Sequence, residues 1–277
     1  MVELNSHIFF PESLNELFSD WNRFPEAVLF AGGTDYIWRQ GKNVLNLPPV
    51  IICLDKLKEL HRITRTEHYL EIGSMVRLNK IIWLGKIVPE ILCRCLETIS
   101  GVQLRNIATI GGNICCSGRM LDASAPLTAL DAQYELRNAY NSRWVAAARF
   151  HANEKYPVLD FHEFITRIRL PLHQWDYSMF KKFYTDNIYH SKTLIFLAKT
   201  QKNTLSDIRI IYKNKGILRN KNGESLLAGK TLPLSRKTAG DFMENWHEFL
   251  NNNNEIDEIS KNEIIDCIGI NIRNLLE

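Results

Sequence analysis

The sequence predicts an α+β protein whose length of 277 residues favours about two domains. Short strand-type hydrophobic runs alternate with amphipathic, helix-type stretches as far as residue 170. The remainder changes character, because strand-type runs are followed there by two long helical stretches. We therefore predict three parts: residues 1–56, residues 57–170, and a smaller α+β domain at 171–277.

The first part is predicted to be a compact α/β block. Ser13 precedes an amphipathic stretch and Glu16 follows three residues later, a spacing typical of a capping box at a helix N-terminus. The expected elements are a strand at His7–Phe10, a helix through Leu14, Leu17 and Phe18, a strand at Val28–Phe30, a short helix at Tyr36–Arg39 and a strand at Val50–Leu54.

The second part is predicted to open with a β-hairpin and to continue into a helical stretch over Leu78–Ser100. Its expected strands are Arg62–Thr66, Tyr69–Ile72, Gln133–Arg137, Arg143–Val145 and Ile165–Leu170. In the third part the expected elements are strands at Met179–Tyr184 and Ile208–Tyr212, then helices at Arg236–Asn251 and Asn262–Leu276.

Composition excludes several classes of protein. The net charge of +3 is too small to favour nucleic acid or an anionic membrane surface as a partner. No apolar run approaches the roughly 18–20 residues that span a bilayer. Since the first residues lack the pattern of a signal peptide, we expect a cytoplasmic protein. The spacing of the six cysteines fits neither zinc nor iron–sulfur ligation, which predicts reduced, mostly buried thiols.

Two glycine pairs are the most informative feature of the sequence, one within Val28–Asp35 and one within Ile107–Ile114. Paired glycines permit turns with positive φ and let a ligand approach where a Cβ would collide. Neither loop carries Lys or Arg, so we expect backbone amides and hydroxyls to bind any phosphate there. Two such loops suggest one ligand with a central pyrophosphate. Valine at Gly32 or Gly111 should then expel this ligand from a chain that still folds.

No arrangement of side chains in the sequence indicates acid–base or nucleophilic catalysis. The eight histidines show no metal-ligand spacing. The segment Ala228–Thr231 resembles the end of a P-loop, but Glu224 stands where that motif needs glycine and Pro233 follows. The Gly-x-Gly-x-x-Gly fingerprint is also missing. Nucleotide-type loops without catalytic groups indicate that a bound cofactor performs the chemistry.

Beyond the glycine pairs, longer motifs resemble one family. The segment Ala31–Asp35 is similar to the first flavin loop of the FAD-binding medium subunits of molybdenum hydroxylases, which include xanthine dehydrogenase and carbon monoxide dehydrogenase. Gln103–Asn113 resembles the second loop of that family, and Asp122, Pro126 and the segment Ala129–Ala132 continue the likeness. The resemblance runs from about residue 8 to the C-terminus. It implies a two-subdomain FAD-binding fold of the vanillyl-alcohol-oxidase type, followed by a smaller α+β domain.

The resemblance implies a role for each matching residue in binding FAD. The first loop would wrap the pyrophosphate through the amides of Gly32, Gly33 and Thr34, and the second would hold the other side of the phosphates and ribityl chain. Asp122 would accept a hydrogen bond from a sugar hydroxyl. The residues implied at the two loops and beside them are Leu29, Phe30, Ala31, Gly32, Gly33, Thr34, Asp35, Tyr36, Thr109, Ile110, Gly111, Gly112, Asn113 and Asp122.

Three further residues are implied at the ends of the cofactor. Ile99 would lie against the flavin ring, and Ile165 would offer a backbone contact on the adenine side. Lys182, which aligns better than Lys181, would place a cation near the isoalloxazine and stabilise negative charge on the reduced ring. Relatives carry arginine shortly after this lysine, whereas this chain has Phe183–Asp186, which weakens any inference about the electron acceptor.

The resemblance also implies a division of labour among subunits. A molybdopterin-binding large subunit would oxidise the substrate, and a small subunit with [2Fe–2S] clusters would relay the electrons. FAD on this chain would pass them to NAD+ or another acceptor. Two alternatives stay open: a structural or assembly subunit without FAD, and a free-standing flavin oxidase of the same fold. Visible absorbance of the purified chain and co-purifying partners would separate the three.

Overall fold

The computed structural model describes residues 6–41, 45–116, 121–152, 159–183 and 191–275. Two compact units divide the chain, Met1–Leu172 and His173–Glu277. The further division of the first unit after residue 56 stays a prediction. Every helix in the described ranges is too short or too polar to cross a bilayer.

A small parallel sheet and two helices begin the first unit. Its strands β1 (His7–Phe9), β2 (Val28–Phe30) and β3 (Val50–Cys53) lie in the order β1-β3-β2. Helix α1 (Leu14–Arg23) begins where the Ser13 hydroxyl accepts from the Glu16 amide, as the capping box predicts, and α2 (Thr34–Gln40) follows β2. The apolar side of α1 packs on β3, and the first glycine pair directly follows the C-terminal end of β2.

An antiparallel sheet of five strands forms the rest of the first unit, in the order β4-β5-β8-β6-β7. One face is a buried layer of side chains that includes Ile72, Tyr134 and Ile168. The opposite face carries ion pairs, among them Arg167 with Glu71 and with Glu135. The strands are β4 (Ile63–Arg65), β5 (Tyr69–Gly73), β6 (Gln133–Arg137), β7 (Ser142–Ala146) and β8 (Phe164–Pro171).

Six short helices accompany this sheet: α3 (Leu78–Trp83), α4 (Glu90–Glu97), α5 (Val102–Arg105), α6 (Ile110–Ile114), α7 (Ser124–Ala129) and α8 (Ala147–Phe150). Two 3-10 turns, Lys58–His61 and Gly85–Ile87, complete the unit. The long helical stretch expected at Leu78–Ser100 is thus two helices, and Pro89 caps the second. The second glycine pair lies inside α6.

The second unit is an antiparallel sheet of order β12-β11-β10-β9 with helices packed on it. Its strands are β9 (Tyr177–Phe183), β10 (Lys192–Gln201), β11 (Thr204–Lys213) and β12 (Ile217–Arg219). The helices are α9 (Lys221–Leu227), α10 (Arg236–Asn251) and α11 (Glu258–Arg273). Phe242 and Trp246 of α10 and Ile264 of α11 form one core with Phe196 and Ile210 of the sheet.

Prediction in the second unit was incomplete. Strands β10 and β12 and helix α9 were not expected, and α11 begins four residues before the predicted start because Asp257 caps it. Residues Leu194–Ala198 of β10 are all fully buried, so the strand lacks the alternation that reveals a half-exposed one. The bounds of α10 were predicted correctly. Tyr184 and Leu276, where two predicted elements end, lie outside the described residues.

Candidate functional site

The first glycine loop connects β2 to α2 and has unused hydrogen-bond donors. Gly33 has φ +65°, the left-handed conformation that favours glycine, and as the N-cap of α2 it has no side chain to accept from the first turn of the helix. In the described part of the chain, the amides of Gly32, Gly33 and Thr34 donate to no acceptor. Three successive amides of this kind are suited to an anion.

The second glycine loop opens a helix and differs in this from the first loop, which follows a strand. No strand precedes it, since the chain runs from α5 through a single bridge between Arg77 and Thr109 into α6. Its amides already have acceptors inside the protein. They donate as follows: Ile110 to the Val76 carbonyl at 3.0 Å, Gly111 to the Ser74 carbonyl at 2.8 Å, Gly112 to Thr109 Oγ1 at 3.1 Å, and Asn113 to the Thr109 carbonyl at 3.0 Å.

These bonds correct the expectation that both loops supply amides to a phosphate. The second loop instead offers side-chain groups. The Thr109 hydroxyl accepts from Gly112 and keeps its proton to donate. Asn113 accepts from the Ala123 amide at 3.3 Å through Oδ1, while its Nδ2 group donates to no acceptor in the described ranges. Both residues are buried, with 3% and 8% of their surfaces exposed.

Close packing against other parts of the protein explains two of the glycines. A Cβ at Gly32 would lie 2.3 Å from the Ile107 carbonyl oxygen, and one at Gly111 would lie 2.7 Å from Ser74 Cβ. Neither has positive φ. We therefore now expect valine at either position to destabilise the fold, because protein atoms fill the space that a side chain would need.

Gly112 differs from these two glycines. A Cβ there would meet Thr109 Oγ1 at 3.0 Å and Ala31 Cβ at 3.9 Å, the second an ordinary van der Waals separation. The two loops thus approach each other at Ala31 and Gly112.

The other residues expected at the first loop pack against neighbouring parts of the protein. Leu29 packs on the core of the first unit, and the rings of Phe30 and Tyr36 meet edge to face at 5.4 Å. Asp35 accepts from Arg39 Nε at 2.6 Å, and Arg39 Nη2 also donates to Cys116 Sγ at 3.1 Å. Arg39 lies outside the loop sequence, one turn along α2, and brings a positive charge close to Asp35.

Asp122 lies close to the second loop. Its carbonyl accepts from Cys95 Sγ at 3.3 Å, and the next residue, Ala123, donates its amide to Asn113. The Asp122 side chain is buried with 8% of the residue exposed. The structure therefore brings Asp122 and Asn113 together, although they are nine positions apart in the sequence.

A buried polar cluster connects the second loop to Ile165. Burial raises the pKa of the Cys115 thiol to about 12, and the backbone of Ile165 at the start of β8 partly offsets this rise. Nearby, the Tyr134 hydroxyl and His151 Nε2 are hydrogen-bonded at 3.0 Å. All six cysteines are described and free, as expected; Cys95 is buried and the other five are half-buried as whole residues, so fewer of them are buried than expected.

His151 should make the stability of the protein depend on pH. Burial lowers its pKa from 6.5 to about 4, so the native state stays neutral where the unfolded chain becomes protonated. This contribution is complete above about pH 6.5 and is lost as the pH falls towards 4. It amounts to about 3 kcal/mol of unfolding free energy. Urea unfolding at several pH values will measure it.

The matched control for this pH effect is the exposed His68. In His151→Gln the loss of stability between pH 6.5 and 4 should be smaller by this amount, whereas His68→Gln should behave as the unmodified protein. An identical loss in all three proteins would show that burial of His151 is not its cause.

Ile99 belongs to a turn that one arginine holds. The Ile99 carbonyl accepts from Arg105 Nη1 at 3.1 Å, and the carbonyls of Glu97 and Ser100 accept from the same nitrogen at 3.0 and 2.6 Å. Arg105 Nε donates to Asn79 Oδ1 at 3.1 Å. Arg105 lies within the motif Gln103–Asn113, whose sequence alone does not indicate this contact.

Lys182 lies in the second unit, on β9. Phe183 and Met179 pack on the helix-side core, and Lys181 has the same parity along the strand, so Lys182 is on the other face of the sheet. The charge of Lys181 acts on the Cys267 thiol of α11, which agrees with this assignment. The preference for Lys182 over Lys181 as a flavin neighbour stays a prediction. Residues 184–186, where this chain departs from the family, lie outside the described ranges.

A cavity of about 300 Å³ opens on the charged face of the five-stranded sheet. Its walls include the ion-paired side chains of Glu71, Glu135 and Arg167. None of the expected cofactor residues lines it.

Comparison with known proteins assigns the chain to a family. Residues 4–173 match the profile of the family described as the FAD binding domain in molybdopterin dehydrogenase. Since this match covers more than half of the chain, the protein belongs to that family and contains an FAD-binding domain. The family resemblance read from the sequence is confirmed.

Individual relatives agree with this assignment. The chain is 32% identical over 151 residues to the xanthine dehydrogenase FAD-binding subunit of Escherichia coli O157:H7, which covers 53% of this chain and 51% of the relative. It is 27% identical over 213 residues to the carbon monoxide dehydrogenase medium chain of Hydrogenophaga pseudoflava, covering 74% and 73%. The chain thus matches about half the length of the first of these relatives.

Solved structures confirm the predicted fold. Quinoline 2-oxidoreductase from Pseudomonas putida 86 superposes with a TM-score of 0.77 at 19% identity, covering 98% of this chain and 95% of the other. Carbon monoxide dehydrogenase from Hydrogenophaga pseudoflava gives a TM-score of 0.77 at 21% identity, covering 100% and 97%. At these identities the likeness concerns the fold alone.

Proposed function

We propose that this chain is the FAD-carrying electron-transfer subunit of a molybdenum-containing hydroxylase or dehydrogenase of the xanthine dehydrogenase type. Bound FAD would accept electrons from the [2Fe–2S] clusters of a small partner subunit and pass them to NAD+ or another acceptor. A molybdopterin-binding large subunit would oxidise the substrate. We propose a cytoplasmic location for the complex.

The observation that carries this proposal is the contrast between the two glycine loops. The amides of Gly32, Gly33 and Thr34 have no acceptor in the described chain and lie in the loop that packs against the second one. A pyrophosphate between the loops would accept from these amides and from the Thr109 hydroxyl. The Asn113 Nδ2 group would donate to the same ligand.

The remaining expected residues would bind the rest of the cofactor. The buried Asp122 lies next to the Ala123 amide that Asn113 binds, which suits a carboxylate that accepts from a sugar hydroxyl beside the phosphates. Ile99 would exclude water from one side of the flavin ring, and Ile165 would border the adenine side. Lys182 would offer positive charge to the reduced ring, a role that rests on the family resemblance.

Titration of the full chain with FAD tests the cofactor assignment. We expect stoichiometric binding that quenches flavin fluorescence, and visible absorbance in protein purified from its own host. Tagged chain from that host should also bring down partners that contain molybdenum and iron. A colourless chain within such a complex would favour a structural subunit, and a yellow chain that oxidises a substrate alone would favour a free-standing oxidase. Either result would overturn the proposal.

A further inference from the structure

We propose that Arg105 is a positioning residue that sets the flavin-ring side of the site relative to its phosphate side. The proposal rests on the function proposed above. It concerns a residue that touches neither predicted part of the cofactor and acts through the backbone of two segments.

The contacts of Arg105 converge on the turn that follows α4. Nη1 donates to the carbonyls of Glu97, Ile99 and Ser100, within 2.6–3.1 Å. The last carbonyls of a helix lack partners within the helix, and a cation near them interacts favourably with the helix dipole. Ser100 has φ +50°, a conformation that a residue with a side chain seldom adopts. The turn therefore depends on outside support, which the guanidinium provides.

The same guanidinium is anchored at its other edge. Arg105 Nε donates to Oδ1 of Asn79, a residue of α3 with 4% of its surface exposed. Asn79 Nδ2 in turn donates to Asn106 Oδ1 at 2.6 Å and to the Val102 carbonyl at 3.2 Å. The network thus joins α3, the turn at residues 97–100 and α5 through one buried amide.

From α5 the connection continues into the second glycine loop. The Ala108 amide donates to the Leu104 carbonyl at 2.7 Å, and the Ala108 carbonyl accepts from Leu78 of α3 at 3.0 Å. Thr109 follows directly as the cap of α6. Arg105 consequently links Ile99, the predicted wall of the flavin ring, to the loop predicted to hold the phosphates. A change at Arg105 should alter the surroundings of the ring as well as binding.

Substitution of Arg105 by methionine and by lysine tests this role in the full-length chain. We expect Arg105→Met to bind FAD at least about ten-fold more weakly, because hydrogen bonds that involve a charged group are among the stronger ones. The visible circular dichroism and the reduction potential of bound flavin should also change. Arg105→Lys should recover part of both properties, since it keeps the charge but not the planar fork of donors.

The matched control is Arg94→Met on α4, where Arg94 pairs with Glu90 at 2.5 Å on the exposed side of the helix. It should leave affinity, dichroism and potential unchanged. If Arg105→Met does not fold, Arg105→Lys carries the test. Flavin with unaltered dichroism and potential in the folded Arg105 variants would overturn the proposal. Failure of the unmodified chain to bind FAD would instead refute the proposed function.

Discussion

Replacing Gly32 by alanine is expected to disrupt the first unit itself. The new Cβ would lie 2.3 Å from the Ile107 carbonyl oxygen and 2.9 Å from its carbon, both backbone atoms that cannot rotate away. Ordinary overpacking costs about 1–3 kcal/mol, and we expect at least about 4 kcal/mol here because the two loops must separate. That is a large part of the roughly 5–15 kcal/mol by which a domain is typically stable. Thermal unfolding will measure it, as a decrease of about 10 °C or more.

Gly240→Ala provides the control for Gly32. Gly240 lies within α10, and a Cβ there would have no atom within 4 Å. Alanine favours a helix over glycine by about 1 kcal/mol, so this variant should melt at the original temperature or slightly above it. A Gly32→Ala protein that melts with the unmodified chain would show that the loops are not packed as described.

Replacing Gly112 by alanine should instead weaken FAD binding in a chain that remains folded. The new Cβ would require only a small movement of Thr109 Oγ1 and would project towards Ala31, between the two loops. A pyrophosphate at that place would have to move away. We expect FAD to bind roughly ten- to hundred-fold more weakly, the range that corresponds to overpacking by one methyl group. Fluorescence titration with FAD will measure this loss.

The comparison of Gly112→Ala with Gly32→Ala separates binding from folding. The two variants carry the same substitution in neighbouring loops, yet one should lose affinity and the other stability. Gly112→Ala should keep the melting temperature of the ligand-free chain within a few degrees. Unchanged affinity in this folded variant would move the phosphate site elsewhere and with it the central part of the proposed function.

Sequence reasoning located the candidate site better than it explained it. The glycine pairs and the motif around Arg105 identified the segments that the structure brings together. The reason given for the glycines was sound for Gly33, whose φ is positive, and failed for Gly32 and Gly111, which pack against protein. A carbonyl from Ile107, distant in sequence, decides what fits at Gly32. Local pattern carries no information about such a neighbour.

The same distinction applies to hydrogen bonds and to the fold. That the Gly111 amide donates to Ser74 could not be foreseen, because Ser74 reaches it through the tertiary structure. Local signals succeeded where they were sufficient: the cap at Ser13 and the bounds of α10. Strand β10 was missed because both of its faces are buried. Arg105 was overlooked since its partners are main-chain carbonyls, which every residue has.

The two glycine loops differ in whether their amides have hydrogen-bond acceptors, and this difference determines which loop is ordered before a ligand binds. The amides from Ile110 to Asn113 all donate to acceptors within the protein. The second loop should therefore have the same structure with and without a cofactor. The amides of Gly32–Thr34 in the first loop need an acceptor from outside the described chain, such as a bound ligand. The first loop would then contribute new hydrogen bonds on binding. The second loop would already be ordered, which lowers the conformational entropy that is lost when the ligand binds.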